Sequence, residues 1–235
     1  MQVYIGTSGY AYKEWRGAFY AEKLPADAML RAYAERLRTV EINNTFYRMP
    51  KESVVAGWAA QVPEAFRFVL KAPQRITHFA RLGDDDGALD YFLRASSVLG
   101  PKLGPTLFQL PPNLKKDLPR LTAFLDRLPH RWRAAFEFRH PSWFDDEVYG
   151  ALRERGAALV AAEDEEGATP LVPTTTWGYL RLRRPAYTGA ELGEWAARIG
   201  EQPWEGAFAF FKHEEGVAPG PGSGPLAAEA LAALL

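Results

Sequence analysis

Glu137 and Arg139 stand two residues apart in the segment AAFEFRHPSWF, residues 134–144. On a strand this pair shares one face, and Phe136 and Phe138 share the other. The same pattern, a short apolar run whose last residues turn polar, recurs along the chain. Thr7 and Ser8 follow VYIG, Glu41 and Asn43 close TVEIN, Lys71 closes FRFVLK and Gln109 closes GPTLFQ. Arg181 lies in WGYLRLR, and Lys212 follows GAFAFF. A charge at the end of a strand covered on both faces must point into a polar pocket, because burying it unpaired is costly. Acids set among bases point to proton transfer beside anion capture. Glu41 and Glu137 are candidates for general acid and base, and Lys71, Arg139 and Arg181 for anion holders; Lys71 could form a Schiff base only if desolvated.

These residues need elements that bring them together. Strand-like runs fall at residues 3–6, 39–43, 66–71, 104–109, 134–139, 157–162, 177–183 and 206–211. Helical spacing falls at 25–38, 51–61, 89–99, 118–128, 145–155, 190–199 and 226–235. Only the connection between the sixth and seventh strands shows no convincing helix. Such alternation predicts an α/β fold, and eight repeats at this length predict a closed (β/α)8 TIM barrel, slightly irregular, forming one domain over 1–235. An open doubly wound sheet is the alternative, but GTSGYAY after the first strand is not the glycine-rich phosphate fingerprint.

In a barrel the carboxyl ends of all strands open onto one face, where ligand sites lie. The expected inward set is Glu41, Lys71, Glu137, Arg139 and Arg181. Tyr10, Tyr47, His140 and Trp143 belong to the loops on that side, where aromatic rings suit a sugar or a base. Most such rings pack the core, and Tyr47 and Trp143 are the preferred ligand contacts. The alternative for the charges is a network that merely seals the barrel mouth.

With 47% hydrophobic, 24% charged residues and a net charge of -1, the chain has material for a core and no general field for nucleic acid or anionic membrane. It has no cysteine, which excludes disulfides, thiolate nucleophiles and cysteine-held metal clusters. The four histidines are scattered. Any divalent metal such as magnesium would draw on Glu41, Glu137 and Glu163 or Asp164. The aspartates at 84–86 lack calcium-loop spacing and read as a solvated turn. No leader and no membrane-length apolar run is evident, so a cytoplasmic protein is expected.

The segments IGTSGYAYKEWRGAFY, TVEINNTFYRMP, FRFVLKAPQRITH, LGPTLFQLPP, AAFEFRHPSWF and YLRLR occur in this order over nearly the whole chain. Together they resemble the signature blocks of the domain of unknown function 72 family (DUF72), whose members are similar to (β/α)8 barrels. The resemblance implies pocket residues at Thr7, Ser8, Glu41, Asn43, Lys71, Gln109, Glu137, Arg139, Trp143 and Arg181, and it implies no activity. Two departures stand out. Arg183-Arg184 replaces a usual His-Gly after YLRL, and Phe211-Lys212-His213 replaces an aromatic residue followed by Asn-Asn or Asp-Asn. The rim is therefore expected to be more basic and to favour an anion.

Three functions remain open on these grounds. The first is an enzyme, a hydrolase or lyase, acting on a phosphorylated or otherwise anionic sugar-like compound. Glu41 and Glu137, on strands nearly opposite, are expected at or beyond the roughly 5–9.5 Å of a glycosidase pair. Neighbouring carboxylates are expected to hold the Lys71 pKa up, against Schiff-base chemistry. The second is a nucleic-acid binder or nuclease, and the third a non-catalytic small-molecule sensor.

Overall fold

Eight parallel strands close on themselves in the computed structural model, which describes residues 1–235. They are β1 (Gln2–Ser8), β2 (Thr39–Ile42), β3 (Arg67–Lys71), β4 (Leu103–Gln109), β5 (Ala134–Glu137), β6 (Ala158–Asp164), β8 (Trp177–Leu182) and β9 (Gly206–Phe211). The two-residue β7 (Gly167–Ala168) is an antiparallel hairpin partner of β6 outside the ring. β1 pairs with β9 from Gln2↔Gly206 to Thr7↔Phe211, and the ring closes where β5 meets β6 through Ala135↔Ala158 and Phe136↔Leu159.

The main crossover helices are α1 (Met29–Arg36), α3 (Glu52–Ala59), α4 (Ala88–Ser97), α5 (Leu118–Arg127), α6 (Asp146–Arg155) and α7 (Gly189–Gly200), with α8 (Gly224–Ala232) packed on β1 and β9. A short α2 (Asn44–Tyr47) follows β2. Their ends are chemically marked. Asp145 caps α6 by accepting from the Glu147 and Val148 N–H groups, and Gly156 ends it in the left-handed region. Thr188 and Glu191 form a capping box on α7. The β6–β8 connection has no helix: Asp164 turns the chain into the β6–β7 hairpin instead. The aspartates at 84–86 make local bonds and ion pairs, Asp85 with Arg127 and Asp86 with Arg75. No helix is long and apolar enough to cross a membrane.

Two apolar clusters divide the interior. The larger fills the layer between strands and helices, while Tyr4, Val69, Leu107, Ala135, Ala158, Val160, Trp177, Tyr179, Phe208 and Phe210 fill the barrel itself. Tyr4 and Phe208 stack at 4.8 Å and, with Trp177, plug the amino-terminal end. Because side chains alternate along a strand, the next inward positions toward the other end are Ser8, Glu41, Lys71, Gln109, Glu137 and Arg181. Apolar packing below thus leaves one polar layer at the mouth.

Candidate functional site

Arg181 organises that layer. It leaves β8 opposite Ala162 of β6, whose methyl group leaves room for a long side chain to cross the barrel. Its Nη2 donates to Glu41 Oε1 at 2.7 Å and its Nη1 to Glu137 Oε2 at 2.6 Å, joining β2, β5 and β8. Glu41 also accepts from Ser8 Oγ at 2.7 Å and from Tyr179 Oη at 2.6 Å. Glu137 accepts from Arg139 Nε at 3.1 Å. All of these groups except Arg139 are buried, so each carboxylate exchanges its water for several charge-assisted bonds.

The electrostatics follow from those contacts. Burial pushes the Glu137 carboxyl up, but the Arg181 and Arg139 guanidinium groups outweigh it and hold it at about 2. Glu41 is likewise lowered: burial opposes, while Arg181 and the hydrogen bonds from Tyr179 and Ser8 prevail. Neither group is a proton donor near neutrality. One guanidinium bonds both carboxylates, so a cation occupies the space between them. That cation, and the absence of a carboxyl with a raised pKa, argue against a glycosidase mechanism.

Lys71 behaves opposite to expectation. Its Nζ has no hydrogen-bonding or carboxylate partner and rests 4.0 Å from the centre of the Phe46 ring. Burial, followed by repulsion from Arg181, pulls its pKa down to about 8, despite the opposing pull of Glu41 and Glu137. The carboxylates fail to hold it up because burial, joined by the repulsion of Arg181, outweighs them.

Several expected residues sit elsewhere. Thr7 lies within β1 rather than after it, and alternation turns it to the outer face, where its N–H donates to Tyr33 Oη. Tyr10 packs near Tyr33 against the outer core. Trp143, expected at the ligand, is fully buried: it stacks on Phe138 at 4.6 Å and donates its indole N–H to the Leu114 carbonyl. His140 caps its own turn by accepting from the Ser142 N–H. Lys212 pairs with Glu214 at 2.7 Å, and Arg184 turns away to Glu191. Of the basic rim, Arg183 alone lines the mouth without an acidic partner. Asn43 Oδ1 and Gln109 Oε1 are buried without partners, and Tyr47 is 74% exposed beside Phe46. Glu163 points outward and accepts from the Trp195 indole, so it cannot join Glu41 and Glu137 around a metal. No three acidic or histidine side chains converge in metal-holding geometry, and the two central acids already hold a guanidinium.

His78 was not among the expected residues. It follows β3 on a π-turn (Arg75–Phe79), its ring 4.9 Å from that of Phe46 and its Nδ1 2.9 Å from Thr77 Oγ1. Burial and then the charges of Lys71 and Arg139 lower its pKa. Its place just beyond Lys71 in FRFVLKAPQRITH was the available signal. A cavity of about 490 Å³ opens beside the ring-closing seam, lined by Glu137, Arg139, Thr169 and Arg183 and by Asp164 and Glu166.

A closed parallel barrel with its polar side chains gathered at the carboxyl ends of the strands places the chain in the TIM-barrel class, whose enzymes carry their sites at that face. The chain belongs to the DUF72 family: the family described as "Protein of unknown function DUF72" matches residues 4–235. It is 36% identical over 164 residues to the UPF0759 protein YecE of Escherichia coli K12, covering 67% of this chain and 58% of that protein. The match therefore spans less than two thirds of YecE. The UPF0759 protein YunF of Bacillus subtilis strain 168 is 27% identical over 236 residues, covering 91% of this chain and 79% of YunF. A crystal structure of a DUF72 family protein from Thermotoga maritima MSB8 superposes with a TM-score of 0.81 at 25% identity, covering 99% and 97% of the two chains. One from Enterococcus faecalis V583 gives 0.72 at 20% identity, over 98% and 95%, and supports the fold alone.

Proposed function

We propose that the barrel mouth is the active site of an enzyme acting on a small anionic, sugar-like compound, phosphorylated or carboxylated. The observation that carries this reading is an excess of positive charge in the inward-facing layer. Glu41 and Glu137 are matched by Arg181 and Arg139, which leaves Lys71 and Arg183 without acids of their own. Burial lowers the pKa values of Lys71, His78 and Arg183, and Arg139 adds to the lowering in each, so these basic groups share one neighbourhood. An anion among them would replace lost hydration with charge-assisted bonds. Asp164 and Glu166, also on the cavity wall, are exposed to solvent. Gln109 and Asn43 offer buried acceptors for ligand hydroxyls, and Tyr47 offers an exposed ring face. Glu41 holds Arg181 in place under this reading instead of trading protons.

Calorimetric titration with inorganic phosphate and with sugar phosphates tests it. Saturable binding is expected, weakened about 10- to 100-fold by Arg183→Ala or Arg139→Ala, the scale of a hydrogen bond to a charged group. Absence of saturable binding, or indifference to both substitutions, refutes it. A single-stranded nucleic acid is the second reading, favoured by the exposed rings of Tyr47 and Phe79. It requires binding of oligonucleotides whose affinity falls steeply with salt.

A further inference from the structure

Two lysines are equally buried, at 9% exposure, and their surroundings differ completely. Lys102 Nζ donates to the Ala59 and Val62 carbonyls, both at 2.9 Å, and pairs with Glu64 at 3.1 Å. These contacts give that ammonium three oxygen partners. Lys71 Nζ has the Phe46 ring and no oxygen partner. An aromatic face stabilises an ammonium by only about 0.5–2 kcal/mol. An amine desolvated next to another fixed cation, here Arg181, is the arrangement that frees a lysine lone pair.

We propose that Lys71 is the nucleophile of this site and forms an imine with an aldehyde or ketone carried by an anionic substrate. The neutral Nζ adds its lone pair to the carbonyl carbon, the C–N bond forms, and the C=O π electrons move to oxygen. Protonation of that oxygen and loss of water give the protonated imine. Amine and carbonyl become imine and water, with no oxidant or reductant. The positive imine then accepts the electron pair of a C–C bond at the adjacent carbon and becomes an enamine, and the departing carbon leaves as a second carbonyl compound whose hydroxyl gives up its proton. Reprotonation of the adjacent carbon followed by hydrolysis returns the amine, which is lyase chemistry. His78, beyond the same strand and next to the same Phe46 ring, is the group placed to carry protons to and from that carbon.

The groups that set the state of Lys71 come from every side of the mouth: Arg181 from β8, Glu41 from β2, Glu137 and Arg139 from the end of β5, and His78 from its own exit turn. Together with burial they put its titration at about 8, so trapping should rise with pH up to about 8 and level off above it. The substrate's charge rests on the function proposed above, whereas the amine chemistry stands independently of it.

The test uses the intact chain and glycolaldehyde phosphate as probe. Sodium borohydride traps any imine, and intact-mass measurement with peptide mapping locates it. One adduct per chain is expected, at Lys71, at least ~10-fold faster than at any other lysine at pH 7.5, because ordinary lysines titrate near 10.4. Inorganic phosphate should slow it. Labelling spread evenly over surface lysines, or no labelling of Lys71, overturns the inference even if phosphate binds. Equal labelling of Lys71 by uncharged glycolaldehyde, unaffected by phosphate, supports the amine and overturns the anionic-ligand reading instead.

Discussion

Arg181→Met removes the cation that touches both Glu41 and Glu137 and keeps much of the buried volume, so the change isolates its charge. Two carboxylates would then face each other in the barrel without it. Losing one partner of a buried pair costs about 3–5 kcal/mol. Glu137 gives a second route to the scale. Its carboxyl is held at about 2 instead of an ordinary 4.5, and at 1.36 kcal/mol per unit that is about 3 kcal/mol, part of it owed to Arg139. The pH dependence separates this cause from simple misfit. Because the folded pKa is depressed, the wild-type contribution is present above about pH 4.5 and disappears as pH falls through about 2. Without Arg181, burial and mutual repulsion raise both carboxyl pKa values, so the variant should regain stability as pH falls from 7 toward 5. Urea unfolding followed by tryptophan fluorescence across pH 4–8 reads both curves. A loss under about 1 kcal/mol at pH 7, or parallel pH curves, refutes the reasoning. The triple variant Glu41→Gln, Glu137→Gln, Arg181→Met strands no buried carboxylate, leaves the partly exposed Arg139 without its acid, and should recover most of the loss.

Lys71→Met should stabilise the fold by about 2–3 kcal/mol at pH 7, since an amine depressed to about 8 is costly to keep charged. The gain should shrink as pH rises above 8 and vanish near 10.5, whereas Lys102→Met, which strands two carbonyls, should destabilise; denaturation midpoints against pH measure both. Gly178→Ala would drive a methyl group into the Trp204 ring, and a loss of about 1–3 kcal/mol in thermal or urea unfolding is expected there.

The strand interiors were legible because a period of two leaves no freedom once one face is known. That is why Glu41, Lys71, Glu137 and Arg181 could be placed on a common inner face from alternation and polarity alone. The helix-free link before β8 was legible for a similar reason, as no apolar spacing of 3.6 exists there. Legibility ended where the strands do. Thr7 failed because β1 runs to Ser8, and a shift of one residue exchanges the two faces. Trp143, His140, Arg184 and Lys212 lie beyond the pleat, where spacing carries no directional information. The Lys71 pKa was misjudged because the sequence shows which charges are near one another and not how deeply each is buried. Burial, joined by the repulsion of Arg181, outweighs the pull of both acids.

Pairing of Gln2 with Gly206 joins the first strand to the last. During translation at about 5–20 residues per second, β1 leaves the ribosome about 10–40 s before β9 can reach it. Until then an apolar strand has an open edge, the kind of edge that recruits other chains. Arg181, which joins Glu41 to Glu137, lies on β8, so the polar layer is completed only after the chain is nearly all made. Nascent fragments should therefore be both sticky and inert.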